Sequence, residues 1–321
     1  MANINENTIE NKISKINSKK VFKIALIVYA AILVAGIAFG LIFGVSLDVS
    51  FKGGTMITYS FDGEIKDADF EAVVDKFITQ KHSVERKQSL AKKEETFVIT
   101  LAGKDAVSND VQNSLKDELV KEFPDNNVQL YGSNTVSPNL AGTFFLKSLV
   151  AVLIAAALVV VYVGIRFKNI GGITAALTAL CALVIDLMVT FVVCVIFRLQ
   201  IDSNYIAVVL TILGYSLNDT IVCYDRVREN KKLYPKLTTE ENMNLSISGI
   251  LTRNIVTSVT TSLAVLTIVV VSELYGLSSL RTFAIPMTFG LLSGCVSSLF
   301  IAGPLWVIWS EKRGKKKKKK A

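Results

Sequence analysis

The chain has 321 residues, 51% of them hydrophobic, and a formal net charge of +8. Its apolar residues are clustered, which excludes a single soluble globular domain. Stretches of roughly 20 recur, each long enough to cross a hydrocarbon core about 30 Å thick. The one histidine, His82, lies outside these stretches. A nucleophile–histidine pair or an H-E-x-x-H zinc site inside them is therefore excluded. No G-x-x-x-x-G-K-[ST] loop is present, so nothing points to ATP bound by this chain.

In chain order, residues 1–20 form a basic tail with Lys12, Lys15, Lys19 and Lys20. The first apolar span, 21–45, is too long and begins too late for a signal peptide. A polar region, 46–143, follows, and is large enough for one small domain. Its segment 53–61 reads as a strand. Residues 66–80 place Phe70, Val73, Val74 and Phe77 on one helical face. Residues 96–103 read as a second strand. A helix over 108–123 starts at a Ser108 cap, buries Val111, Leu115, Leu119 and Val120, and stops at Pro124. Residues 127–132 make a third strand. This βαβαβ order predicts a small α+β domain with helices on one sheet face. His82 reads as a surface residue with no ligand partner.

Five further spans follow, at about 144–165, 173–197, 203–224, 254–272 and 282–309, with a charged loop 225–250 between the fourth and fifth. The chain is thus a polytopic α-helical membrane protein with six transmembrane helices and a small α+β domain between helices 1 and 2. Positive charge marks the cytoplasmic flank. It gathers in the N-terminal tail, at Arg166 and Lys168, at Arg226, Arg228, Lys231, Lys232 and Lys236, and in the tail 310–321. Both termini are expected in the cytoplasm and the domain 46–143 outside, in a multi-pass protein of the cytoplasmic membrane. The domain has 11 Lys/Arg and 16 Asp/Glu, so the net positive charge is a property of the tail. That tail reads as a solvated segment or an anchor to anionic membrane lipids. With no aromatic residues among its lysines, no nucleic-acid binding is expected. Cys181, Cys194, Cys223 and Cys295 all fall in or beside spans and read as small buried hydrophobes.

Three ionisable residues stand out within the spans: Asp186, Asp219 and Arg253. A charged residue at the centre of a membrane helix costs about 2.5–3.5 kcal/mol on insertion scales, so such residues usually face protein or a wet cavity. Helical spacing puts Thr211, Tyr215, Asn218 and Asp219 on one face of the fourth span. The same spacing gathers Arg253, Thr257, Thr260 and Thr261 on the fifth, and Thr178, Ala182, Asp186 and Thr190 on the third. Arg253 is the simplest counter-ion for Asp219, helped by hydroxyls and Asn218. One reading is a structural ion pair that cements helices, with Arg253 alternatively snorkelling to the interface. The other is a proton relay of Asp219, Arg253 and Asp186, because a movable Asp–Arg pair can load and release protons. An intramembrane aspartyl protease using Asp186 and Asp219 is a third reading, but "GYSLND" does not match a G-x-G-D motif.

The stretch "LTILGYSLNDTIVCYDRVREN" (210–230) resembles the SecD/SecF family of protein-export membrane proteins. So do "RNIVTSVTTSLAVL" (253–266), "FAIPMTFGLLSGCVSSLFIAGPL" (283–305) and "RFKNIGGITAALTALCALVIDL" (166–187), and the likeness covers the whole span pattern. Within it the chain is most similar to the smaller, SecF subunit. The resemblance implies half of a transporter of the resistance-nodulation-division (RND) superfamily, with a ferredoxin-like extracytoplasmic domain. It implies SecD, the SecYEG translocon and unfolded exported polypeptides as partners. The proton-motive force is the implied energy source, with no cofactor and no enzymatic activity. It places the family's membrane acid at Asp219 and its basic partner at Arg253. Two motifs bordering the domain depart from the family pattern: "VSFKGGT" has Ser50 where an acid is usual, and "VSP" has Ser137 where Gly is usual.

Overall fold

The computed structural model describes residues 17–80, 82–88, 94–101, 108–275 and 277–318. Lys12, Lys15, Ala102, Gly103, Lys319 and Lys320, used in the readings above, lie outside the described residues. Helix α1 (Ser18–Phe43) starts at Asn17, whose side chain accepts from the Lys20 amide. A one-turn helix α2 (Val49–Lys52) is capped by Asp48 and ends at Gly53, whose positive φ of 77° a residue with a Cβ adopts rarely.

The polar domain is built from β1 (Gly54–Asp62), α3 (Asp67–Phe77), β2 (His82–Gln88), β3 (Glu94–Leu101), α4 (Asn109–Glu122) and β4 (Gln129–Val136). The strands form one antiparallel sheet in the order β2-β3-β1-β4. This split β-α-β-β-α-β arrangement is ferredoxin-like. Ile57, Tyr59, Phe61, Phe97, Ile99 and Leu101 alternate along β1 and β3 and pack on Phe70, Val73, Val74, Leu115 and Leu119 of the two helices. Strand β2 is absent from the sequence reading. It is an edge strand in a charged stretch, and Val84 is its apolar residue packed on the core. Arg86 completes it by lying over Phe61 and Phe97 while bonding Glu95 and Asp67. His82 is not a plain surface residue: its Nδ1 lies 2.9 Å from the Gln80 carbonyl and its Nε2 3.4 Å from Asp75.

The remaining chain is helical: α5 (Pro138–Arg166), α6 (Gly172–Ile196), α7 (Ser203–Leu233), α8 (Thr239–Tyr275) and α9 (Ser278–Ser297), then a π-helical segment (Ser298–Ala302) and α10 (Gly303–Lys318). Among the described residues six helical stretches, α1, α5, α6, α7, α8 and the α9–α10 unit, are long and apolar enough to cross a membrane. Caps fix several starts. Ser137 precedes Pro138 on α5, and Asp202 accepts from the amides of Asn204 and Tyr205 on α7. Thr238 and Glu241 bond each other's amides as a capping box for α8. Helices α7 and α8 run far into the region expected as loop 225–250, leaving only 234–238 between them. The domain is tied to the bundle by two backbone bonds, Asp48 N to Ile201 O (3.0 Å) and Ile201 N to Ser46 O (2.9 Å). Cys194, Cys223 and Cys295 are buried, but Cys181 is exposed, contrary to expectation. It stands on the opposite side of α6 from the buried stripe.

Candidate functional site

The three ionisable residues are distributed over α6, α7 and α8. The α6 stripe of Thr178, Ala182, Asp186 and Thr190 is wholly buried. Asp219 on α7 is 3% exposed and faces α8, where Ser258 Oγ approaches its Oδ2 at 3.5 Å, the outer limit for a hydrogen bond. Arg253 begins the same stretch of α8 and is close enough to act electrostatically on the Asp219 carboxylate. It forms no salt bridge among the described residues, so the pair is in register but not in contact. Arg253 is exposed and lines an open cleft of about 660 Å³ between α7 and α8, with Asp225, Arg226, Arg228, Glu229 and Lys232 along it. Those charges pair locally: Arg226 with Glu229 (2.6 Å), Arg228 with Asp225 (2.8 Å) and Arg166 with Asp225 (3.0 Å).

The supporting polar residues divide. Tyr215 Oη donates to Thr261 Oγ1 at 2.9 Å and reaches the Thr257 carbonyl at 3.3 Å, so three of the expected residues do meet across α7 and α8. Thr211 and Thr260 do not join them. Both are exposed, and each hydroxyl bonds back to its own helix, Thr211 to Ala207 O and Thr260 to Val256 O. Asn218 is exposed too, because neighbours on a helix point about 100° apart and Asp219 takes the inward direction. On α8 the buried polar line is Asn254, Ser258 and Ser262, one position on from the predicted Arg253, Thr257 and Thr261. Asn254 Nδ2 and Ser262 Oγ are buried and have no hydrogen-bond partner among the described residues. These two orphaned groups lie one turn to either side of the serine that touches Asp219.

The sequence reading missed the setting of Asp186. Its Oδ2 accepts from Ser216 Oγ (2.6 Å) on α7 and Ser297 Oγ (2.8 Å) on α9, and its Oδ1 from Ser293 Oγ (2.6 Å), also on α9. A signal was present in the spacing of Ser293 and Ser297, four residues apart on one face of α9. The same four-residue interval runs through Asn254, Ser258 and Ser262 on α8. Serine is small enough to read as a packing residue, and only the partner helix shows which serines carry a bond. Among the described residues no group of three or more His, Cys, Asp or Glu could hold a metal ion.

Residues 115–312 match the family model described as protein export membrane protein SecD/SecF, C-terminal. The chain is 31% identical over 303 residues to the protein translocase subunit SecF of Alicyclobacillus acidocaldarius, covering 89% of this chain and 90% of that one. It is 33% identical over 290 residues to the protein translocase subunit SecDF of Bacillus subtilis, covering 89% of this chain but 37% of that protein. A crystal structure of SecDF from Thermus, described as a translocon-associated membrane protein, superposes with a TM-score of 0.75 at 26% identity, over 90% of this chain and 38% of that one. The chain thus spans little more than a third of the SecDF proteins and most of the SecF protein.

Proposed function

Because the chain belongs to the SecD/SecF family of protein-export membrane proteins, we propose that it is the SecF-like subunit of a SecD–SecF complex. Its task is to assist export of unfolded polypeptides through SecYEG, drawing on the proton-motive force through Asp219 and Arg253. The charged end of α7 and α8 then lies in the cytoplasm and the ferredoxin-like domain outside. Of the two larger SecDF relatives, one is called a translocase subunit and the other translocon-associated. The part of those proteins beyond this chain is where the SecD partner belongs.

The observation that carries the reading is the contrast around Asp219. The carboxylate is buried, its one hydrogen bond is long, and the Arg253 cation stands off in an open cleft. A held ion pair would be closed; this one has room to close and open. Arg253 favours the charged carboxylate when it approaches and releases it to take a proton when it withdraws. The orphaned Asn254 and Ser262 groups support the reading, since buried polar atoms of this kind commonly bind water. A proton crossing here has about 2.3 kcal/mol per 100 mV to give.

The test is the rate of export into vesicles against the imposed proton gradient, for complexes carrying Asp219→Asn. Folding and co-purification with SecD are expected to persist while gradient-driven export is lost. Wild-type export by an intact mutant complex would remove the proton role. Loss of SecD from the mutant would instead favour a passive assembly scaffold in which Asp219 only cements helices.

A further inference from the structure

We infer that Asp186 is a positioning residue whose carboxylate clasps α6, α7 and α9 together and so sets where α7 holds Asp219 against Arg253. The inference rests on the proton-coupled reading above, and gives Asp186 a different task from that of carrier.

Asp186 is fully buried, and its two oxygens accept three hydroxyl bonds of 2.6–2.8 Å from two other helices. Ser293 is itself held from a fourth helix: Tyr29 Oη on α1 bonds its carbonyl at 3.0 Å and its hydroxyl at 3.2 Å. This convergence needs α9 to lie very close to α7. A Cβ added at Gly290 would stand 2.2 Å from Ile212 Cδ1 and 2.6 Å from Thr190 Cγ2, and one at Gly294 would stand 3.0 Å from Ser216 Cβ. The two glycines, four residues apart on one face, are what let Ser293 and Ser297 reach Asp186 beside Ser216.

The clasp bears directly on Asp219. Ser216 precedes it by three residues, less than one turn of α7, so the two move together. The turn that contains Asp219 is tied again on both sides. Ser298 Oγ donates to the Ser216 carbonyl (3.0 Å), and Thr220 Oγ1 donates to Ser298 Oγ (3.0 Å). Asp219 is therefore fixed on the side of the π-helical segment that follows α9 and less tightly held on its α8 side, where Ser258 stands at 3.5 Å and Arg253 makes no ion pair with it. A carrier must exchange partners in every cycle, and Asp186 is surrounded by three short hydroxyl bonds that would all have to break for it to do so.

The experiment measures export against pH and imposed gradient in vesicles holding the full chain with SecD and SecYEG. It compares Asp186→Asn, Asp186→Ala and the double variant Ser216→Ala/Ser297→Ala. The carboxamide oxygen of asparagine still accepts hydroxyls, so Asp186→Asn is expected within about twofold of wild type with an unchanged pH midpoint. Asp186→Ala and the double variant are expected to move that midpoint by about half a unit or more, because the Asp219–Arg253 separation changes. Loss of gradient-driven export by an intact Asp186→Asn complex would overturn the inference and make Asp186 a carrier. A lower yield of complex with the midpoint unmoved in the serine variant would also overturn it, leaving a plain structural brace. Failure of the proton-coupled reading has a separate mark, full export by Asp219→Asn.

Discussion

Two carboxylates occupy one helical bundle, in surroundings that differ in kind. Asp186 receives three short hydroxyl bonds from α7 and α9, while Asp219 receives one bond at 3.5 Å from α8 and the field of a guanidinium that does not touch it. Burial alone does not separate them, since both are nearly inaccessible. What separates them is the number of bonds that must break before the group can change its charge or its neighbour. A buried acid with its partners in place holds helices at fixed distances. On the proposed reading, one with loose partners, facing a helix whose Arg253 lines an open, charged cleft, responds to a proton.

The comparison breaks most readily at its cation. Arg253→Gln is expected to lower gradient-driven export more than about tenfold while SecD still co-purifies, because Asp219 then has no charge to exchange with. Export unaffected by this change would mean the cleft and its guanidinium are incidental. The next test acts on the clasp without touching a polar group. Gly290→Leu is expected to cost about 1–3 kcal/mol of stability by driving α9 from α7, visible as a lower melting temperature of the purified complex. A melting temperature equal to wild type would show that the close approach is not needed. Ser258→Ala sharpens the contrast more gently. Removing a single long hydrogen bond is expected to change export by no more than about threefold, against the larger effect of Ser216→Ala/Ser297→Ala.

The smallest effect lies outside the bundle and isolates its pH response. Burial pushes the Tyr59 hydroxyl of the ferredoxin-like domain from 10.0 up to about 12. The unfolded chain therefore ionises first, and the stability Tyr59 contributes is present below about pH 10 and lost as pH rises toward about 12. Tyr59→Phe is expected to flatten alkaline unfolding of the full chain and to leave export near neutrality unchanged. A shift in the neutral range would place part of the pH response in the domain.

Much of this was legible from residue pattern. The six spans follow from apolar length, and the domain's two helices from the spacing of Phe70, Val73 and Val74 and of Leu115 and Leu119. Strand β2 was not, because Val84 is the one apolar residue in its sequence and Arg86, which covers Phe61 and Phe97, looks like part of a loop. The depth match of Asp219 and Arg253 was readable from the family likeness and from helical spacing. The face of α8 was not: Thr260 is exposed, while Thr257 and Thr261 reach Tyr215, and Ser258 and Ser262 are buried, and composition does not tell an exposed hydroxyl bonded to its own carbonyl from a buried one. The serine clasp was least legible of all. It depends on Gly290 and Gly294 bringing two helices together, which is a property of the pair and not of either segment.

Proton coupling at this site requires that Asp219, and not Asp186, changes its protonation as the complex works. Infrared difference spectra of the carboxylic C=O stretch, recorded on the reconstituted complex as a proton gradient is imposed, read this directly. A band that is present in wild type, persists in Asp186→Asn and vanishes in Asp219→Asn is the predicted result. A band that survives Asp219→Asn and is lost in Asp186→Asn would contradict it.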